Sequence, residues 1–523
     1  MSTLRFTAAL ALLLPCCLRA QETPVDTAMM QKIRTEAFAH SQIPFIAHYM
    51  TDVAGPRLTN SPGYLHAARW IVQTLRQWGI QKAGLEPWGE FGKGWRSTMS
   101  YVAQKTPYYQ PLIAYPHAWT AGTGGLVTGP VVMLDTLSEA AIDQMGDAIK
   151  GKIVMVRPRP RDTVLASAFT PFATRYADTT TFSELPDMYM IEPGGVAKYA
   201  GIFKSRNETR QYLADKGAIA LLNPSRPRGR DGTVFVAGGV YYAKGYTPPL
   251  PEIALSTEDM LRIYRLLRSA QEVTLEMNIQ NQWDSTDTQG YNVIGEIPGT
   301  DKKLKSELVM LGGHLDSWHS GTGATDDAAG CIVMMEAMRI LKVLGVQPKR
   351  SIRMALWGGE EQGLLGSFGY VKKHFGNPAD MQLLPEQKKV SAYYNLDNGS
   401  GRIRGIYLQN NEAVGPVFRN WLQPFADLGA TGVTISNTGA TDHLPFDAVG
   451  IPGFQFIQDP LEYNTRTHHS NMDTYDHLEM EDLKQAAAIV AAFVYNTAMR
   501  DEMLPRKPLP KAARFVFDVD FPL

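Results

Sequence analysis

Apolar residues recur at helical spacing in Ala67, Ile71, Leu75 and Trp78, just after a Ser61-Pro62 start signal. Side chains three and four apart share one helix face, so residues 27–78 read as helix, loop, helix, with Gly55-Pro56-Arg57-Leu58-Thr59 as the loop. Strand-like runs follow at 101–102 and 125–134. Ile153-Val154-Met155-Val156 is a short buried-strand signal after a turn. Residues 211–216 pattern as helix, 217–222 and 248–255 as strands, and 258–267 as helix. The stretch 158–210, rich in Thr, Pro, Gly and aromatics, reads as an irregular insertion. From about residue 289 the pattern becomes strand–helix alternation, the mark of an α/β domain with a largely parallel sheet. Its strands fall at 308–311, 352–356, 392–396 and 453–457, and the helix between the first two turns Ile332, Met335, Met338 and Ile340 toward the sheet.

Length and composition add limits. A chain of 523 residues exceeds one ordinary core and implies two or three domains. With 44% hydrophobic and 20% charged residues it belongs with soluble globular proteins. A formal net charge of −1 calls for neither nucleic acid nor an anionic membrane as partner. Residues 115–282 behave as a separate unit without a cluster of His, Asp and Glu, which suggests a lid or recognition module. At the N-terminus, Arg5 precedes an apolar run from Phe6 to Leu14 that ends near Ala20 and Gln21. That is the shape of a secretory signal peptide over 1–20, too short for a lasting membrane span, and it implies a secreted or periplasmic protein. Its removal takes Cys16 and Cys17 and leaves Cys331, so no internal disulfide is expected. Cys331 itself sits in an apolar helical pattern and reads as core. No later segment has the apolar length of a membrane span.

The chemistry gathers at strand ends. Gly313-His314-Leu315-Asp316 follows the first strand, and Thr325-Asp326-Asp327-Ala328 comes shortly after. Gly359-Glu360-Glu361-Gln362-Gly363 follows the second, Asn395-Leu396-Asp397-Asn398 the third, and His468-His469-Ser470-Asn471-Met472-Asp473-Thr474 the fourth. Ligands of open α/β sheets sit beyond the carboxyl ends of the strands. Mixed imidazole and carboxylate ligands suit zinc, and two adjacent divalent ions need an anionic bridge to offset their repulsion. An Asp carboxylate with a shared water or hydroxide supplies it. Of the adjacent Glu360 and Glu361, one can ligate while the other shuttles protons. Asp316, two residues from His314, is placed to orient that imidazole. His443 fits either a site contact or a plain loop residue, whereas His319 and His468 read as neighbours. There is no HExxH, no GxSxG, and no phosphate-loop lysine beside the glycines at 321–323.

The strings GGHLDSW, GATDDAAG, LWGGEEQGLLGS, NLD and HHSNMDTYD resemble the metal motifs of the zinc aminopeptidases of peptidase family M28. HLDSW, the Asp326-Asp327 doublet and HHS–DT are most similar to a secreted dipeptidase branch of that family. The flanking GPRLTNSPG and EMLPRKP agree, and KGKIVMV, KGAIALLN and LPEIALS resemble a protease-associated (PA) domain. The resemblance implies an α/β fold with a mixed, largely parallel sheet flanked by helices. It would be formed by residues 21–114 and 283–505, with a β-rich PA-like insert at 115–282 and a tail at 506–523. It implies two zinc ions, one held by His314 and Asp397, the other by Glu361 and His469, with Asp326 bridging. Glu360 would be general base and acid, and Asp316 the partner of His314. The chain departs from the family in having Asp327 where Asn usually follows the bridging Asp, and in the length of its 158–210 stretch.

Three functions compete. The favoured one is a secreted exopeptidase on dipeptides or free peptide N-termini, in which a metal-bridging hydroxide attacks the carbonyl with Glu360 as base. The alternative is a carboxypeptidase releasing acidic C-terminal residues, which would need Arg side chains facing a substrate carboxylate. The third is a non-catalytic receptor-like homologue, against which stand all the proposed ligands and Glu360. A homodimer stays open.

Overall fold

A computed structural model describes residues 24–158, 173–185, 187, 195–223, 229–237 and 248–512. The expected signal segment, much of 158–210 and the end of the tail lie outside the described residues. The chain lays down β1 (Lys82–Glu90) and then leaves for a second sheet. That sheet comprises β2 (Gly94–Thr106), β3 (Gln110–Pro111), β4 (Ala114–Pro116), β5 (Val127–Leu134), β6 (Ile153–Val156), β7 (Ala220–Leu222), β8 (Glu252–Leu255) and β9 (Thr274–Asp284). The chain returns as β10 (Gln289–Ile297), which lies antiparallel against β1, so the whole second sheet is inserted between two paired strands. The first sheet is completed by β11 (Leu308–His314), β12 (Ser351–Trp357), β15 (Val390–Asn395), β16 (Ile403–Tyr407), β17 (Gly432–Thr434) and β18 (Gly453–Gln458). A short hairpin of β13 (Gly376–Asn377) and β14 (Gln382–Leu383) stands apart.

The first sheet has the order β1-β10-β12-β11-β15-β18-β16-β17. Its centre, β12-β11-β15-β18, is parallel, and antiparallel pairings occur toward both edges. This is the mixed, largely parallel sheet flanked by helices that the alternation implies. All seven positions of β11 are buried, as expected of a strand covered on both faces. Its side chains alternate between two cores. Val309 and Leu311 pack with the helices Ala329–Val343 and Met480–Met499, while Leu308 and Met310 pack with Tyr370, Phe375 and Phe446 on the opposite face. Cys331 is buried in the first of these cores.

The second sheet takes in β2, β3 and the start of β4, within the residues 21–114 expected in the first domain, and a further difference from the sequence pattern lies at 158–210. Residues expected to be irregular up to 210 include the front of a helix, Gly195–Asp215. Pro193 and the glycines beside it dominate the local composition, yet from Val196 to Asp215 there is no proline and Gly201 is the one glycine, and no sustained apolar stripe announces the helix. The helix is anchored by Arg210, whose guanidinium donates to both oxygens of buried Glu252 on β8 at 2.6 and 2.8 Å. Among the described residues no helix is long and apolar enough to cross a membrane.

Helix Ala329–Val343 carries the turn that ends at the site, and it is buried from Ala329 through Leu341. Ile332→Ala should leave a cavity against the sheet and cost about 2–5 kcal/mol. A urea midpoint equal to that of the unaltered protein would contradict this packing.

Candidate metal centre

The parallel strands deliver their chemistry to one edge. β11 ends at His314, the turn after β12 carries Glu360 and Glu361, Asp397 follows β15, and His469 lies on the loop beyond β18. β11 is flanked by β12 on one side and β15 on the other, so His314 stands where successive connections diverge and a crevice opens. Asp326 enters from a π-helical turn, Ala324–Ala328, in which it has extended φ and ψ of −132° and 88°. Its Oδ1 lies 3.2 Å from His314 Nε2 and its Oδ2 lies 3.2 Å from His469 Nε2. Asp397 Oδ1 is 3.4 Å from His314 Nε2, and Glu361 Oε2 is 2.9 Å from His469 Nε2. One carboxylate therefore spans two imidazole–carboxylate pairs. Glu360 Oε2 is 3.8 Å from His314 Nε2 and makes no such pair of its own.

Further side chains hold these residues by their backbone. Asp316 does fix His314, but through its backbone carbonyl, 2.9 Å from Nδ1; its carboxylate stands 3.9 Å away. That carboxylate instead accepts from the backbone N–H of Glu360 (3.1 Å) and Glu361 (3.2 Å) and from the Thr59 hydroxyl (2.9 Å). Asp473 accepts from Thr325 N (2.6 Å), Thr325 Oγ1 (2.8 Å) and Asp326 N (3.2 Å), which fixes the turn carrying Asp326. Fully buried Arg57 donates to the carbonyls of Leu315, Met50, Thr322 and Gly323, tying the segment after β11 to the loop before Asp326. Asp327 also lies within ligand reach of His314 and Asp397. Its two oxygens, however, accept from His314 N and Gly330 N at 3.2 and 2.9 Å, so it anchors strand to helix, and Asp326 alone reaches both imidazoles.

The donor set fits divalent cations. The Asp316 carbonyl can only accept, so His314 donates from Nδ1 and turns Nε2 toward Asp326 and Asp397. Burial opposes charge on the ring, but Asp397, Glu360 and Asp326 hold a second proton at Nε2, well above the ordinary imidazole range, where a metal ion would meet a lone pair. A lone pair facing carboxylates is repulsive unless a cation lies between them. Asp326 Oδ2, Glu361 Oε1 and Asp397 Oδ1 are buried without a hydrogen-bond partner, a costly state for anions. The groups compensate by protonation. Burial, with the charges of Asp397 and Asp442, pushes Glu360 well above the usual carboxylate range, and burial with Asp326 pushes Glu361 up to about 7. Burial opposes the charged form of His469, yet Glu361 and Asp326 raise it to about 10. Asp326 moves the other way: burial disfavours its charge, but the imidazoles of His314 and His469, each 3.2 Å from one of its oxygens, hold it well below the ordinary range. Protons thus occupy the role that the donor geometry offers to metal.

Residues 292–494, which contain all of these groups, match the family model described as Peptidase family M28. The chain carries an M28 peptidase domain. Human carboxypeptidase Q is 26% identical over 463 residues, spanning 87% of this chain and 85% of its own length. A Peptidase M28 precursor from Shewanella amazonensis SB2B is 25% identical with a TM-score of 0.66, covering 92% of this chain and 98% of that one. A zinc aminopeptidase from Bacillus subtilis shares the fold at 19% identity and a TM-score of 0.54, covering 92% of this chain and 98% of its own.

Within the M28 domain the remaining histidines separate. His319 is half-buried against Trp95 and pairs through Nε2 with the Pro116 carbonyl at 2.7 Å. His443 is buried beside the Thr438 carbonyl and Gln409, and burial lowers it to about 4. His468 comes closer: it stacks on Tyr463, and its Nε2 is 3.8 Å from Asp326 Oδ2. Arg57, Asp442 and Asp473 have no role in the motif reading. Asp442 and Asp473 were visible as acids inside strings already singled out, Thr441-Asp442-His443 and HHSNMDTYD, and Arg57 as the one charge in its loop.

Burial also pushes Asp473 up to about 7 and Asp442 up to about 8. A carboxyl raised on folding supports the fold while protonated, and that support is lost as pH climbs from the unfolded to the folded value. Glu361, Asp473 and Asp442 all have this sign. Protein stripped with chelator should therefore lose thermal stability between about pH 5 and about pH 8, and zinc should flatten the dependence. A Tm that rises with pH across that window after stripping would contradict the charge balance described.

Proposed function

We propose that this chain is a binuclear zinc exopeptidase acting on dipeptides or on free peptide N-termini, outside the cytoplasm. The observation that carries the reading is the single carboxylate, Asp326, reaching two imidazole–carboxylate pairs with separate oxygens. His314 and Asp397 would hold one zinc, Glu361 and His469 the other, and Asp326 would bridge. When bound, the two ions would supply Lewis acidity toward a peptide carbonyl and toward water.

Glu360 is the base in this reading. Its backbone is pinned by Asp316, its neighbour Glu361 is committed to His469, and its own carboxyl approaches the cluster without a short partner. A carboxyl so placed takes a proton from the attacking water and returns it to the leaving amine. Its raised affinity for protons suits both halves of that exchange. Asp442, whose carboxyl lies close enough to act on Glu360, adds a second acidic group to the same wall. Positive charge near the cluster comes from Arg57, whose three nitrogens all donate to backbone carbonyls. An acidic wall favours a substrate's free α-amine over a terminal carboxylate, and so an aminopeptidase or dipeptidase over a carboxypeptidase for acidic residues. The names of the Bacillus subtilis zinc aminopeptidase and of carboxypeptidase Q support exopeptidase action with zinc. The second sheet is read as a PA-like insert, and the apolar run behind Arg5 as the export signal.

Glu360→Gln should lower turnover by about 10²–10⁴-fold while zinc content stays that of the unaltered protein. Near-normal turnover in that variant would remove Glu360 from the mechanism. A panel of blocked and unblocked dipeptides tests the substrate class independently. Hydrolysis should require a free α-amine, and cleavage confined to N-blocked peptides would overturn the assignment.

A further inference from the structure

His469 has a backbone φ of 62°, in the left-handed region that non-glycine residues avoid unless their surroundings impose it. The surroundings that do so come from the second sheet's unit. Val236 N–H donates to the His469 carbonyl at 2.8 Å, and Asn471 N–H donates to the Val234 carbonyl at 3.2 Å. These bonds close an antiparallel bridge centred on Phe235 and Ser470. The Asn471 side chain doubles it: Oδ1 accepts from Val234 N at 2.7 Å, and Nδ2 donates to the Gly232 carbonyl at 3.1 Å. Val234, Phe235, Val236 and Ser470 are all buried, so water does not offer these backbone groups a substitute. The next residue, Ala237, accepts at its carbonyl from His117 Nδ1 at 2.8 Å, and His117 N donates to Glu252 on β8 at 2.8 Å. A continuous run of hydrogen bonds thus leads from the second sheet to the His469 backbone.

We infer that the inserted unit is a structural part of the metal centre, and that Asn471 is a positioning residue which holds His469 through segment 232–236. The inference rests on the reading of His469 as a zinc ligand. It makes the two halves of the centre unequal. His314 ends β11 and Asp397 follows just past β15, both within the first sheet's unit, whereas His469 depends on a segment of the inserted unit. The insert is then not a lid that can be removed with the chemistry left intact.

The test uses the full chain, stripped with chelator and titrated with zinc against a chromophoric competitor. The unaltered protein should take up two equivalents. Asn471→Ala should keep one at its original affinity and bind the other about 10–100-fold more weakly, the usual effect of removing a partner that orients a metal ligand. Uptake of both equivalents at unaltered affinity in a folded variant would overturn the inference. Hydrogen exchange in the unaltered protein gives a second readout that needs no variant. Because coupling is reciprocal, stripping zinc should speed exchange at the Val236 amide, and equal rates with and without zinc would overturn the inference as well. If the unaltered protein takes up no zinc at all, the reading under Proposed function is what fails.

Discussion

The structure turns on a concentration of carboxyl groups in the protein interior. Asp316, Asp326, Asp327, Glu360, Glu361, Asp397, Asp442 and Asp473 meet within one crevice around the imidazoles of His314 and His469. Isolated, such a set would be among the most expensive arrangements a fold can bury. Six of its eight members divide into two kinds. Asp316, Asp327 and Asp473 are satisfied largely by backbone N–H groups, and so act as rivets for the turns they sit on. Asp326, Glu361 and Asp397 each keep a buried oxygen without a donor, and those are the groups that cations would satisfy.

The parallel sheet makes this concentration achievable. β11, β12, β15 and β18 run in one direction and present their carboxyl ends on one edge, so residues far apart in sequence arrive together without long loops. The two cores on either side hold the strands rigidly, and Arg57 joins the segments that leave β11 by bonding carbonyls alone. A lysine could not replace it, since one ammonium on a flexible stem cannot reach that many fixed acceptors in a plane.

Much of this is legible in the sequence. The strand–helix alternation after about residue 289 and the acids and imidazoles at its strand ends follow from periodicity, because a buried parallel strand has a continuous apolar run and an abrupt polar end. What stays hidden is what the backbone does. Asp316 looks like a carboxylate partner for His314, yet its carbonyl holds the imidazole, and no sequence pattern separates main-chain from side-chain contact. Arg57 bonds carbonyls, which every residue carries, so its partners leave no mark. Strand direction leaves no mark in an apolar pattern, so the antiparallel pairings of β1 with β10 and of β16 with β18 stay hidden, and helix Gly195–Asp215 lacks the amphipathic stripe that would announce it.

The contact between segment 232–236 and His469 to Asn471 is hidden for the same reason and matters most. It joins residues more than 200 positions apart through main-chain groups and one asparagine. Composition assigns the insert a lid or recognition role because it holds no cluster of ligand-type side chains. That reasoning assumes a catalytic centre is built from side chains alone. Here a backbone ladder from a unit without such a cluster constrains a histidine whose left-handed conformation requires constraint. The insert is bracketed by the paired strands β1 and β10 and bonded at the centre by this ladder, so a shift of segment 232–236 would move the backbone of His469.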